Sequence, residues 1–192
     1  MLKNLLKSSK LISKIKAFKN KEIFDILAYG SVVRGKDKIN DLDIAIILNE
    51  KKSVDYKLSL AENLKTQLDF LDVNLDVKAV DIFDLWDDSF IARQSILAEG
   101  YSLIKGVFLH ESFGFKAFFI FKYNLKGLSY PQKKMLYYAL KGRRKQAGLL
   151  RLKGAEILGN CVIKVPIGNS EEFIEFFKRK GIEYKIEKVI QY

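Results

Sequence analysis

Two aspartates open an otherwise apolar run, Asp41-Leu42-Asp43-Ile44-Ala45-Ile46-Ile47-Leu48. Its isoleucines and leucines predict a buried strand over residues 42 to 48. Alternate strand residues share a face, so both carboxylates point the same way. A like-charged pair beside an apolar core is costly unless something offsets it. Divalent cations are the obvious compensation, because carboxylate oxygens on one face suit hard metals. The rest of the composition points in the same direction. One His and one Cys, Cys161, cannot make a Cys/His zinc site, so any metal must be held by oxygen, and a single cysteine excludes an internal disulfide.

The flanking sequence repeats the strand signal. Glu22 to Tyr29 is rich in Ile, Phe and Leu and stops at Gly30-Ser31, which predicts a strand feeding a tight turn, and Leu75 to Val80 alternates like a further strand. Between the first two, Ser31 to Asn40 is polar and carries Arg34, Gly35, Lys36 and Lys38, as expected of a short helix followed by an exposed loop. Leu58, Leu60, Leu64 and Leu68 give residues 54 to 69 a helical spacing. Residues 2 to 20 place Leu2, Leu5, Leu6, Ile12 and Ile15 along one stripe of an amphipathic helix. Another helix is expected over Phe90 to Leu97, closed by Gly100. This order of helices and strands predicts an α/β layer architecture. Trp86 reads as a core or interface residue, His110 as a surface or partly buried one, and Cys161 as strand packing.

Charge divides the chain. Residues 1 to 105 hold 17 basic and 16 acidic side chains, whereas residues 106 to 192 hold 17 and 7. No Asp or Glu lies between Glu111 and Glu156, an interval with eleven Lys or Arg. A boundary near Gly106 follows, giving a domain over 1–106 and a small basic αβ domain over 107–192. Such a basic stretch should bind polyanions, with Lys141, Arg143, Arg144, Lys145 and Arg151 as the nucleic-acid contacts and the interleaved aromatics as candidate stacking platforms. Phe115, Phe118 and Phe119 also have i, i+3, i+4 spacing, which predicts a basic helical segment with rings in the core. Tyr130-Pro131 and Gly142 bracket a helix over 131 to 140. A strand over Cys161 to Val165, a helix over Ser170 to Lys180 with Asn169 and Glu172 as its capping signal, and a strand over Ile182 to Ile190 complete the tail. No apolar run approaches the length of a membrane span, and seven lysines interrupt Met1 to Lys21, so neither a span nor a signal peptide is expected. The expected compartment is the cytoplasm, where a lone thiol stays reduced.

The chemistry concentrates in Tyr29-Gly30-Ser31-Val32-Val33-Arg34-Gly35 and Asn40-Asp41-Leu42-Asp43. A Gly-Ser turn ahead of a helix offers backbone N–H groups and a hydroxyl to a phosphate. Asp76 supplies a third carboxylate from the later strand, with Asp72 and Asp81 as competitors. Three carboxylates, two metals and a phosphate turn describe two-metal phosphoryl or nucleotidyl transfer. Gly30-Ser31, nine intervening residues and Asp41-Leu42-Asp43, with Arg34-Gly35, resemble the motif of the DNA polymerase β-like nucleotidyltransferase superfamily, most closely its minimal nucleotidyltransferases. The resemblance covers roughly residues 20 to 104, and the segment Ile96 to Ile104, with its Glu99-Gly100, looks like the end of such a domain.

That resemblance implies a mixed sheet, two Mg2+ ions and a nucleoside triphosphate attacked at its α-phosphate with release of pyrophosphate. By the same resemblance Asp41 and Asp43 would bind both metals, Asp76 one of them, and Gly30 and Ser31 the triphosphate, with Arg34 and Lys36 as weaker triphosphate candidates. The leading expectation is transfer of a nucleoside monophosphate to a nucleic acid, RNA or DNA. The alternatives are AMP transfer to a partner protein, as in antitoxin-type minimal nucleotidyltransferases, transfer to a small molecule, and a catalytically silent nucleic-acid-binding module.

Overall fold

The structure, a computed structural model, describes residues 5–36, 40–144 and 146–192. The chain divides into two compact units, Met1–Lys116 with Tyr192, and Ala117–Gln191.

The first unit is built on a four-stranded mixed sheet in the order β3-β2-β1-β4. Its strands are β1 (Ile23–Tyr29), β2 (Asp41–Leu48), β3 (Asn74–Asp81) and the short β4 (Tyr101–Ser102). β1 runs antiparallel to β2 and β4, whereas β2 and β3 are parallel. A parallel pair needs a crossover, and α2 (Val54–Gln67) supplies it. The Ser53 hydroxyl caps that helix by accepting a bond from the Tyr56 N–H at 3.3 Å.

Both sheet faces are covered, which is why β1 and β2 read as nearly continuous apolar runs rather than alternating ones. One face carries Ile26, Ala28, Leu42, Ile44 and Ile46 against Leu11 and Ile15 of α1 (Ser9–Phe18) and against Leu64 and Leu68. The other carries Leu27, Tyr29, Ala45, Ile47 and Val80 against Leu85, Leu109 and Ile96 of α3 (Arg93–Glu99). Each fully buried Leu or Ile contributes roughly 1.5–3 kcal/mol. Asp25 is the charged exception in β1. It accepts from the Ser102 hydroxyl and its own neighbour's N–H, both at 2.8 Å, and pairs with Lys105 at 3.3 Å.

Several local expectations shift. The expected N-terminal helix is interrupted by a turn at Leu6–Lys7, after helical Leu5, and the helix over Ser9–Phe18 buries Leu11 and Ile15, with Ile12 only half-buried. Leu2 lies outside the described residues. The segment after β1 opens as a single 3-10 turn, Gly30–Val32, and residues 37–39, including Lys38, lie outside the described residues. Trp86 is not core: it is 75% exposed, at the end of a 3-10 turn over Asp84–Trp86. His110, by contrast, is buried in the short helix α4 (Leu109–Ser112), stacked on Phe108.

The second unit centres on a sheet in the order β10-β5-β9-β8. Its elements are β5 (Lys116–Tyr123), α5 (Tyr130–Lys141), a hairpin of β6 (Gly142–Arg143) and β7 (Gln146–Ala147), α6 (Leu149–Leu152), β8 (Glu156–Gly159), β9 (Val162–Pro166), α7 (Ser170–Arg179) and β10 (Tyr184–Gln191). Leaving the hairpin and α6 aside, the succession is βαββαβ with the first strand between the last and the third, the split β-α-β arrangement. Residues 116–123, expected to be helical, form a strand. Alternation wins over the i, i+3, i+4 spacing because Ala117, Phe119 and Phe121 fall on one buried face. There the Phe121 ring meets Phe173 at 6.1 Å and Phe177 at 5.7 Å between centroids. Cys161 is not strand packing but sits in the β8–β9 turn with φ 58°. The Asn169 side chain does not cap α7 and instead donates to the Lys153 carbonyl at 3.0 Å. Among the described residues no helix is long and apolar enough to cross a membrane.

Candidate active site

The three candidate acids lie at the same end of the first sheet, where β1 stops and β2 and β3 begin. Parallel register sets Asp43 opposite Asp76 and Asp41 opposite Asn74. On the other side, antiparallel register sets Asp43 opposite Tyr29. Asp41, Asp43 and Asp76 therefore share one face, and neighbouring strands stand about 4.8 Å apart. The Asn74 side-chain amide donates to Asp41 at 3.1 Å.

Gly30 turns the chain directly over Asp43. Its φ is +78°, a region that disfavours any side chain, and a Cβ there would lie 2.3 Å from Asp43 Oδ2. Only glycine lets the backbone come so close to the carboxylate. The turn is fastened by the Val33 and Arg34 N–H groups, which donate to the Gly30 carbonyl at 3.2 and 3.3 Å. Lys36 donates its N–H to the Ser31 carbonyl at 3.2 Å.

Electrostatics mark Asp43 as the strained member. Partial burial raises its carboxyl above the ordinary carboxylate range, and the Asp76 and Asp41 charges push it further, while Lys78 and Arg34 oppose them. Asp76 is paired with Lys78 at 2.8 Å. The Tyr29 hydroxyl beside them is buried, with Lys78 as a hydrogen-bonding and charged neighbour and both aspartates within electrostatic reach. Burial is the main reason that its phenol is shifted upward.

Among the described residues no three Asp, Glu, His or Cys side chains already converge on one point as ligands do. The donor chemistry nevertheless fits hard divalent cations. It offers only carboxylate oxygens, a facing like-charged pair, and a glycine whose missing side chain leaves Asp43 open. The competitors for the third acid are placed elsewhere. Asp81 is buried and held by Lys57 at 2.7 Å, while Asp72 lines an open cleft of about 560 Å³ formed by Asn40 and residues 69–74.

Arg34 is anchored. Its Nη1 donates to Glu99 Oε2 at 2.7 Å, and Glu99 is fully buried at the end of α3. The guanidinium thus ties the Gly30–Ser31 turn to the helix behind it. Neither Glu99 nor Lys78 belonged to the sequence-derived site. Lys78 had a visible signal, since it stands two residues after Asp76 on the same strand face. Glu99 had none, because 65 residues separate it from Arg34.

The basic candidates belong to the second unit. Lys141 ends α5, with its ammonium 4.8 Å from the Tyr137 ring centroid, and Arg143 lies over Tyr138 at 5.0 Å. Arg143 and Arg144 occupy the β6–β7 hairpin, and Arg151 is exposed on α6. Lys145 lies outside the described residues. Gly142 lets the hairpin close, since a Cβ there would stand 2.2 Å from the Gln146 carbonyl oxygen.

The family model described as polymerase beta, nucleotidyltransferase, matches residues 9–106. No curated protein matches the chain. Among solved structures, a toxin–antitoxin with AMP-PNP is 25% identical over 49% of this chain and 69% of its own, with a TM-score of 0.35. A tri-AMPylated Shewanella oneidensis HEPN toxin in complex with MNT antitoxin is 21% identical over 54% and 71%, with a TM-score of 0.34. A toxin–antitoxin MntA–HepT structure is 22% identical over 48% and 68%, with a TM-score of 0.32.

Proposed function

The chain belongs to the polymerase beta nucleotidyltransferase family, and from that premise we propose that it transfers a nucleoside monophosphate from a nucleoside triphosphate to an acceptor hydroxyl, releasing pyrophosphate. The observation that carries the proposal is the register pair Asp43–Asp76 beneath the side-chain-free approach of Gly30. Asp41, Asp43 and Asp76 would hold Mg2+, two ions in the full reading, which would supply charge stabilisation to the attacking and leaving oxygens. The chain's own parts have separate tasks. Gly30 and Ser31 offer backbone N–H groups and a hydroxyl to the triphosphate, and the absent Cβ lets phosphate and carboxylates share one small space. Arg34, fixed by Glu99, holds the turn in shape and adds positive charge beside it, with Lys36 two residues on.

Two acceptors fit, each supported by a different surface. The acid-free stretch between Glu111 and Glu156, with Lys141, Arg143, Arg144, Lys145 and Arg151, supports RNA or DNA. The second reading is AMP transfer to a partner protein. Phe83, Trp86 and Ile91, all exposed within one short segment of the first unit, support it as apolar anchors for a partner protein. In the Shewanella oneidensis complex the AMPylated molecule is a HEPN toxin. The proposed setting is the cytoplasm, with no membrane partner.

The test is incubation with α-labelled triphosphates and Mg2+, in parallel with RNA and DNA pools and with protein extract. Transfer of label to one class identifies the acceptor. Equal labelling by Asp43→Asn, or no labelled product with any acceptor, contradicts the proposal.

A further inference from the structure

Lys78 has no task in the reaction as proposed, yet it is the cation nearest the third acid. Strand alternation puts it on the same face of β3 as Asp76, and parallel register sets it opposite Ala45 of β2. Ala45 is fully buried and small, which leaves the lysine stem room to lie against the sheet. The ammonium turns back toward the strand's beginning and binds Asp76 Oδ2 at 2.8 Å, with the buried Tyr29 hydroxyl as a second polar neighbour. Lys78 and Asp76 are 46% and 48% exposed.

An exposed ion pair of this kind adds little stability by itself. Its position gives it a different significance. Asp76 faces Asp43 across the parallel register, and two ionised carboxylates on adjacent strands repel each other. The Lys78 charge offsets that repulsion, and it does so on the carboxylate that a divalent cation would need. Metal and ammonium cannot share Asp76 without repelling each other in turn. The stem has four rotatable carbons and an exposed head, so the ammonium can leave without any backbone movement.

We propose that Lys78 is a built-in counter-ion of the acid cluster, occupying Asp76 in the metal-free protein and giving it up to the incoming divalent cation. The inference rests on the reading of Asp41, Asp43 and Asp76 as metal ligands. Its consequence is that the site has a threshold: cation affinity is set below what the carboxylates alone would give, and the acids stay compensated when metal is scarce.

Binding of Mn2+ to the full chain, followed by electron paramagnetic resonance without nucleotide, tests this directly. Lys78→Met, which keeps the stem and removes the charge, should bind Mn2+ roughly tenfold more tightly than the wild type, the effect of removing one nearby like charge. Lys78→Arg, which keeps the charge, should stay near the wild-type affinity. Should Lys78→Met fold poorly, Lys78→Gln gives the same comparison. Equal or weaker Mn2+ binding by the neutral variants overturns the counter-ion role while leaving the metal site standing, provided that Asp43→Asn abolishes binding. If neither the wild type nor the neutral variants bind Mn2+, both this inference and the metal reading fall.

Discussion

The Gly30 backbone passes so close to Asp43 that a single added carbon would stand 2.3 Å from the carboxylate oxygen. The turn and the acid are therefore one unit, in which the shape of the first decides the freedom of the second. Gly30→Ala meets two penalties, a left-handed backbone at φ +78° and a collision with Oδ2. It should lower unfolding free energy by about 1–3 kcal/mol and remove nucleotidyl transfer. Urea denaturation and the labelling assay check the two effects separately. An active Gly30→Ala protein would show that the close approach is incidental.

The Arg34–Glu99 pair joins the turn to the end of α3. Glu99→Ala removes a charge-assisted hydrogen bond from a part-buried pair and should cost about 1.5–3 kcal/mol in chemical denaturation. Because Glu99 acts through Arg34, its loss should weaken triphosphate binding more than it slows the chemical step. A rise in KM with little change in kcat is the expected pattern, and the reverse pattern would assign Arg34 to the reacting atoms.

His110 gives the fold an acid-sensitive point. Desolvation lowers its pKa below the ordinary value of 6.5, because the imidazole is buried against Phe108, with the Glu111 charge and a hydrogen bond to the Ala98 backbone only partly opposing the shift. The unfolded chain therefore binds this proton more readily than the folded one. Stability linked to His110 is present above pH 6.5 and declines as pH falls through the folded pKa. Thermal melts of His110→Gln should lose less stability than the wild type between neutral and mildly acidic pH. Superimposable pH profiles would remove His110 from the account.

The basic hairpin makes a prediction about salt. If Arg143 and Arg144 contact phosphates, affinity for single-stranded nucleic acid falls steeply with ionic strength, and each Arg→Ala change reduces the logarithmic salt slope by about 1. Fluorescence anisotropy across a salt series measures it. A salt-independent affinity, or no binding at all, would leave the protein acceptor as the surviving reading.

The strands of the first unit were legible because burial on both faces writes itself as the unbroken apolar runs of β1 and β2, ended by Gly30 and begun by Asp41. The shared face of Asp41 and Asp43 follows from alternation alone. The parallel pairing that brings Asp76 opposite Asp43 depends on the crossover through α2, which neither strand encodes by itself. Arg34–Glu99 was invisible for the same reason, as a contact between distant segments with no local pattern. In the second unit, Phe115, Phe118 and Phe119 satisfied a helical spacing while Ala117, Phe119 and Phe121 satisfied a strand. The choice was made by Phe173 and Phe177, more than 50 residues further along the chain. Trp86, read as a core or interface residue, is not core, because it ends an exposed turn.

The central claim is that Asp41, Asp43 and Asp76 form one cation-binding cluster under the Gly30–Ser31 turn. A crystal grown with Mn2+ and a non-hydrolysable triphosphate, with data collected at the manganese edge, tests it most directly. The account predicts anomalous peaks touching all three carboxylates, the triphosphate against residues 30 and 31, and Lys78 withdrawn from Asp76. Manganese bound away from those carboxylates, or a triphosphate seated elsewhere on the chain, would contradict it.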